Sequence, residues 1–226
     1  MPGFGTIGNV DWFPLWLSLR VAALATLISL TLGLALAYAL ANWRFRGKEA
    51  LDALTTLPMV LPPTVLGYYL LVLLGRDSFL GKLHEHVWGA PLVFTWQAAV
   101  VASTVHAVPL LVKAARAALE SVDRTLEDAA RTLGASEWRV FLRITLPLAR
   151  RSVMAATVFA FARALGDFGI TLMIAGNIPG KTQTMAVAIY DAVQSGNGQL
   201  ARILVLVISA VAIAVLYTMN RLQAAK

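Results

Sequence analysis

An all-α membrane protein with about five transmembrane helices is the fold class this sequence predicts, and three observations carry it. Of the 226 residues, 58% are apolar and only 14% charged, with a mean hydropathy of +0.71. The apolar residues gather into runs of about 20, the length of α-helix that crosses a hydrocarbon core of about 30 Å. The 19 Lys and Arg, against 12 Asp and Glu, fall between those runs rather than on one basic face. A water-soluble domain exposes too much surface to carry so few charges, which excludes an ordinary soluble enzyme. A nucleic-acid binder would need the basic face that is missing. No cysteine is present, so there is no disulfide framework, thiolate metal site or thiol nucleophile.

Five segments are long enough to span, because a backbone without water must satisfy its own N–H groups inside the segment. They are Pro14 to Asn42, Ala53 to Gly75 with Pro58, Pro62 and Pro63 inside it, Pro91 to Val112, Ser152 to about Ala175 with Arg163 and Asp167 inside it, and Ile203 to Asn220. The first Lys or Arg is Arg20, so the basic start of a cleavable signal is missing and the first span is expected to stay in the mature chain.

Loop charges orient the spans. One set holds Arg44, Arg46, Lys48, Lys113, Arg116, Arg124, Arg131, Arg139, Arg143, Arg150, Arg151, Arg221 and Lys226; the other holds Arg20, Arg76, Lys82, Lys181 and Arg202. Thirteen against five places the segment 113–151 and the C-terminus in the cytoplasm and the N-terminus outside. With no internal repeat or separate soluble segment, residues 1–226 read as one membrane domain with the loop 113–151 inside it.

That loop has helical grammar. Leu119, Val122, Leu126, Ala129, Ala130 and Leu133 recur at three- and four-residue spacing, with Glu120, Asp123, Arg124, Glu127, Asp128 and Arg131 on the other side. Gly134 can take the left-handed geometry of a helix end, Ser136 can cap a second helix with Glu137 in its first turn, and Pro147 marks a break before the fourth span. The loop is therefore expected to be two short helices with a sharp turn at Gly134 to Ser136. The bland alternative is a solvated helix beside the bilayer.

The spacing Asp128-Ala129-Ala130-x3-Gly134-x9-Ile144-x-Leu146-Pro147 resembles the EAA loop of ABC importer permeases. The resemblance implies a type I ABC importer permease fold. It also implies that the loop docks a coupling helix on a separate ATPase subunit, through Glu127, Asp128, Ala129, Ala130, Gly134, Ala135, Ser136, Glu137, Trp138 and Arg139. Glu137, Trp138, Arg139 and Phe141 are expected to form an exposed rim and anchor for that partner. The family more often has Glu where Asp128 stands, and Glu127 precedes it, so which acid plays the family's part is open.

Three further segments are similar to molybdate and tungstate permeases: Leu57-Pro-Met-Val-Leu-Pro-Pro-Thr-Val-Leu-Gly-Tyr68, Phe161-Ala-Arg-Ala-Leu-Gly-Asp-Phe-Gly169 and Asn177-Ile-Pro-Gly180. Sulfate permeases share the second segment. The resemblance implies a multi-pass protein of a prokaryotic cytoplasmic membrane, working as a homodimer with two ATPase subunits and an extracytoplasmic oxyanion-binding protein. It implies no cofactor in this chain, with ATP and Mg on the ATPase partner. The chain holds no G-x-x-x-x-G-K-[ST] phosphate loop and is not expected to be an enzyme.

Inside the spans, Arg163 and Asp167 are four apart and on one helix would pair, where a lone charge costs at least about 2.5 to 3.5 kcal/mol. Two readings stay open: a face of the translocation path or gate, or a structural pair locking the fourth span. Pro62 and Pro63 free backbone carbonyls and suggest a bent helix beside a cavity, or a packing kink. The small residues Gly33, Ala35, Ala37 and Ala39 support close helix contacts in span one. Between spans four and five, Met185, Ile189, Ala192 and Val193 share one side of a short outer helix near which a binding protein could dock. His84 and His86 read as solvated, and His106, beside an expected break at Val108-Pro109, as a hydrogen-bonded core residue with no acidic partner in view. An ion-coupled secondary transporter would need more intramembrane ionisable groups than these, and an intramembrane enzyme would need a nucleophile with a base.

Overall fold

The computed structural model describes residues 10–43 and 45–224. Arg44 and Lys226, counted above among the cytoplasmic charges, lie outside them. The regular elements among these residues are all helices, in the order α1 (Phe13–Asn42), α2 (Lys48–Val60), α3 (Pro63–Leu74), α4 (Phe79–Trp88), α5 (Trp96–Glu120), α6 (Arg124–Thr132), α7 (Glu137–Val140), α8 (Leu146–Leu165), α9 (Gly169–Ala175), α10 (Met185–Gln194) and α11 (Gly198–Ala224). A single π-helical turn, Phe141–Thr145, joins α7 to α8. Four segments are long and apolar enough to cross a membrane: Phe13–Asn42, Trp96–Glu120, Glu137–Leu165 and Gly198–Thr218. The pair α2 and α3 brings the number to five if it counts as one bent span.

The centre of the fold is α1 packed along α5, with α8 and α9 laid against α5. Small residues let the backbones approach. A methyl group at Gly33 would come within 2.6 Å of Leu111 Cδ2, and Ala37, Ala107 and Ala115 are fully buried in the same seam. Gly33 and Ala37 therefore serve the α1–α5 contact, whereas Ala35 is exposed. α11 is covered mainly along one stripe near its start, by α10 and α8, and turns Val205, Leu206, Ile213 and Tyr217 outward.

Several boundaries differ from the sequence expectation. The second span is two helices meeting at 115°, because Pro62 and Pro63 cannot continue the hydrogen-bond ladder and Leu61 takes an extended backbone. The third span begins at Trp96, capped by the Thr95 hydroxyl accepting from Ala98 N–H, and runs through Pro109 without a break to Glu120. Lys113 and Arg116 thus sit on its cytoplasmic end, where both reach Asp52 of α2, at 2.8 and 3.2 Å. The fourth span ends at Leu165 and restarts at Gly169 as α9. The fifth starts at Gly198, one turn earlier than expected.

Outside the bilayer, α4 is an element beyond the sequence expectation. Ser78 accepts from Gly81 N–H at its start and Gly89 closes it with φ +71°, both signals the sequence carries. His84 bonds the Ala90 carbonyl and stacks on Trp88, and no cluster of three metal-ligating side chains occurs among the described residues. In α10, which packs on α11 and α1, Met185, Val187, Ala188 and Ala192 are buried, while Val193 is 61% exposed and so does not share one side with Met185 and Ala192 as expected.

Candidate functional site

The cytoplasmic loop is shorter and stiffer than its sequence suggests. Of the segment 113–151, the first eight residues are the last two turns of α5, and 137–151 belong to the start of the α7–α8 rod. An elbow remains between them, and α6 is its upper arm. The expected continuous amphipathic helix breaks at Ser121 to Asp123, because the Asp123 carboxylate accepts from Thr125 N–H and starts α6 afresh.

The turn after α6 is built as the sequence implies. Gly134 has φ +82°, its N–H bonds Arg131 O at 2.9 Å, and Ala135 N–H bonds Ala130 O at 3.0 Å. These paired bonds cap the last carbonyls of α6 in a Schellman arrangement. Ser136 occupies the N-cap of α7, but its hydroxyl makes no capping bond.

Arg131 holds the two arms together. It donates to both oxygens of Glu137, at 2.8 and 3.1 Å, and to Asp128 at 2.7 Å, and it lies 3.6 Å from Glu127. The hydrogen bonds that it donates to Glu137 first, then to Asp128, push the Arg131 guanidinium above its ordinary value, so it stays charged. The two acids have different positions. Glu127 is buried and accepts from Thr145 Oγ1, tying α6 to the π turn, whereas Asp128 is exposed. Helical periodicity puts Arg131 on a solvated side and gives no sign that it links three carboxylates across the turn.

Burial of Glu127 inverts the expected face of α6. Leu126 is 49% and Leu133 89% exposed, and Ala129 also faces out, so the apolar stripe is uncovered and a carboxylate points inward. Trp138, 65% exposed, lines the neighbouring cleft toward α1, with Arg139 next to it in the chain. Phe141, expected in that rim, is instead buried 4.6 Å from Tyr38 in an edge-on contact, and anchors the rod to α1. A cleft of about 740 Å³ between the end of α1 and the elbow is lined by Tyr38, Trp43, Lys48, Arg131 and Trp138 among others.

From the elbow, α7, the π turn and α8 form one rod of 29 residues, about 43 Å at 1.5 Å per residue. Pro147 does not break it: it occupies the first turn of α8, where the wider π turn leaves room for a residue lacking N–H. Arg163 lies at the far end of the rod.

There the expected Arg163–Asp167 pair is replaced by a longer chain. Because α8 ends at Leu165, Asp167 lies past the helix end, and the i, i+4 geometry never forms. Arg163 Nη2 contacts the His106 ring nitrogens, His106 Nδ1 lies 3.0 Å from Asp167 Oδ1, and Thr171 Oγ1 donates to Asp167 Oδ2 at 2.6 Å. The tautomer that satisfies both sides carries the proton on Nδ1, donates it to Asp167 and accepts from Arg163 at Nε2. His106, with a side chain 10% exposed, thus has an acidic partner that its sequence neighbours do not reveal. The network joins α5, α8 and α9 across the Gly166 break. Pro63 reaches the same level: a methyl at Gly169 would come within 2.8 Å of Pro63 Cβ, so the two interrupted spans touch at their breaks.

This architecture has known relatives. The profile described as "Binding-protein-dependent transport system inner membrane component" matches residues 29–226. The chain belongs to that family of inner-membrane transport components. Among its relatives, the Molybdenum transport system permease protein ModB of Escherichia coli (strain K12) is 48% identical over 189 residues, 84% of this chain and 82% of the relative. ModB of Haemophilus influenzae is 47% identical over 183 residues, 81% and 80% of the two chains. The Sulfate transport system permease protein CysT of Escherichia coli (strain K12) is 32% identical over 206 residues, 91% and 74%. In fold, the transport component matches a chain of the MetNI methionine ABC transporter with TM-score 0.73 at 17% identity, covering 94% of each chain. It matches a chain of a bacterial ABC transporter that imports alginate with TM-score 0.78 at 15% identity, covering 99% and 85%. The multi-pass membrane placement and the type I importer fold expected from the sequence are both met.

Proposed function

We propose that this transport component is the transmembrane subunit of an ATP-driven importer for molybdate or tungstate, assembled as a homodimer with two ATPase subunits and an extracytoplasmic binding protein. ATP and Mg are bound and used on the ATPase partner. The observation that carries the reading is the open apolar face of α6, with Leu126, Leu133 and Trp138 exposed on a braced elbow. An apolar stripe left uncovered at the cytoplasmic end, on a segment held rigid by Arg131, is suited to a protein partner.

The elbow can act as a handle. Glu127 clamps α6 to Thr145, and Phe141 fixes α7 to α1, so displacement of Trp138 and Leu133 is passed to the rod rather than lost in loop motion. The far end of the rod carries Arg163 to the contact between the two interrupted spans. In this conformation Arg163 is engaged by His106 and Asp167 is held by His106 and Thr171, which supports the locking role over a standing anion site. The greater likeness to molybdenum permeases than to a sulfate permease, 48% against 32% identity, supports the choice of anion.

The test is reconstitution of the full complex in vesicles with labelled molybdate. Uptake is expected to require ATP and the binding protein together, with unlabelled molybdate or tungstate competing more strongly than sulfate. Uptake driven by an ion gradient without nucleotide would refute the reading.

A further inference from the structure

We infer that a recess on the outer face, formed by α1, the start of α5 and the loop before α10, binds the phosphate headgroup of an anionic phospholipid. The recess has a volume of about 490 Å³ and is lined by Trp16, Arg20, Trp96, Gln97 and Lys181, with Phe94 at its edge. Arg20 and Lys181 both belong to the small set of cations on the outer side, and both are exposed.

Neither cation has an acidic partner among the described residues, and no lining residue is Asp or Glu. Asp11, close in sequence, is occupied by the Phe13 N–H at 2.9 Å. The Arg20 guanidinium carbon sits over the Trp96 ring, 3.9 Å from its centre, which holds the cation in place without using its N–H groups, so they can meet an anion. Gln97 adds an exposed amide donor. Arginine, ammonium and amide donors around one concavity, with no acid, match a tetrahedral phosphate.

The surroundings decide between a lipid and a free oxyanion. Trp12, Trp16 and Trp88 are 41%, 66% and 71% exposed at this end of the molecule, the residue type that settles at headgroup level. Arg20 is one turn deeper than Trp16 on α1, where its long stem lets the charge reach up to a phosphate. Phe94, 55% exposed, is the one non-glycine residue with positive φ, +60°, among the described residues, and its N–H is held by Ile174 O at 2.8 Å. That constraint keeps an aromatic ring outward beside the recess, where an acyl chain would lie. A free dianion is held better by an enclosed site than by one flanked with exposed aromatic rings.

The experiment uses the full chain in nanodiscs of mixed phosphatidylcholine and phosphatidylglycerol, with native mass spectrometry of the lipid retained after detergent extraction. Phosphatidylglycerol is expected to be enriched at least fivefold over its share of the bilayer. Lys181→Gln, in an exposed loop position, is expected to lower the enrichment, and the pair Arg20→Gln with Lys181→Gln to lower it further, toward the level held by the cytoplasmic cations. Arg20→Lys should keep part of it, and helix content in pure phosphatidylcholine should stay that of the parent chain. Equal retention of both lipids by the parent chain overturns the inference, as does undiminished enrichment in Lys181→Gln. Release of the retained lipid by millimolar inorganic phosphate or molybdate would assign the recess to a free anion and overturn it equally.

Discussion

Replacing His106 with leucine removes the group that, among the described residues, bridges Arg163 to Asp167, and its cost can be worked from the geometry. The Asp167 side chain is 1% exposed and that of His106 is 10% exposed, so water cannot take over the bond lost to Asp167, whereas the half-buried Arg163 keeps some access to solvent. Leucine fills a comparable volume, which keeps the cavity contribution small. What is lost is the acceptor for Arg163 and one of two donors to Asp167, leaving two charges at membrane depth without their shared partner. Leaving charged groups without the neutral hydrogen-bond partner that they share costs about 2 to 4 kcal/mol. His106→Gln can donate to the aspartate and accept from the arginine, and should cost only about 1 to 2 kcal/mol. The assay is reversible denaturant unfolding in mixed micelles, with the cycle of His106→Leu and Asp167→Asn. Residues in direct contact should show a coupling of about 1 to 3 kcal/mol. A leucine variant within about 0.5 kcal/mol of the parent chain, or no coupling in the cycle, would refute the network as a lock.

Other consequences follow from the elbow and the helix seams. Leu133→Asp changes a side chain that is 89% exposed, so the isolated chain should lose less than about 0.5 kcal/mol while ATP-driven uptake in the assembled complex falls at least about tenfold. Transport assays and unfolding of the same preparation check both halves. Gly134→Ala meets nothing within 4 Å but must hold φ +82°, and should cost about 1 kcal/mol by the strain of that conformation alone, measured by unfolding. Thr145→Val leaves the buried Glu127 without its hydroxyl donor and should destabilise by about 1 to 3 kcal/mol, with faster amide exchange across α6. Gly67→Val places a carbon within 2.7 Å of Met173 Cβ, so forcing α3 from α9 should cost about 1 to 3 kcal/mol and lower the yield of folded protein in membranes.

Much of the elbow is legible in the amino-acid sequence. Gly134 as the turn, Ser136 as the N-cap position and Asp128 to Arg139 as a helix pair follow from local rules that act within four or five residues. The departures share another origin. Leu126, Leu133 and Phe141 carry the same apolar signature, yet the first two face out and the third faces in, because only Phe141 lies within reach of Tyr38. Glu127 and Asp128 differ by one position, and the Thr145 hydroxyl, 18 residues away, selects Glu127 for burial. His106 stands out as the one histidine inside a span, but its partners lie 57 and 61 residues away and carry no local mark.

The amino-acid order alone determined the apolar solvent, the long membrane-crossing helices and the capped turns, since hydropathy and backbone preference are properties of short stretches. Tertiary structure decided which charges neutralise one another within the membrane, that the paired prolines turn a span through 115°, and which face of α6 is left for a partner. Those outcomes depend on groups brought together from distant helices, where burial makes one missing hydrogen bond cost as much as a large part of a domain's net stability.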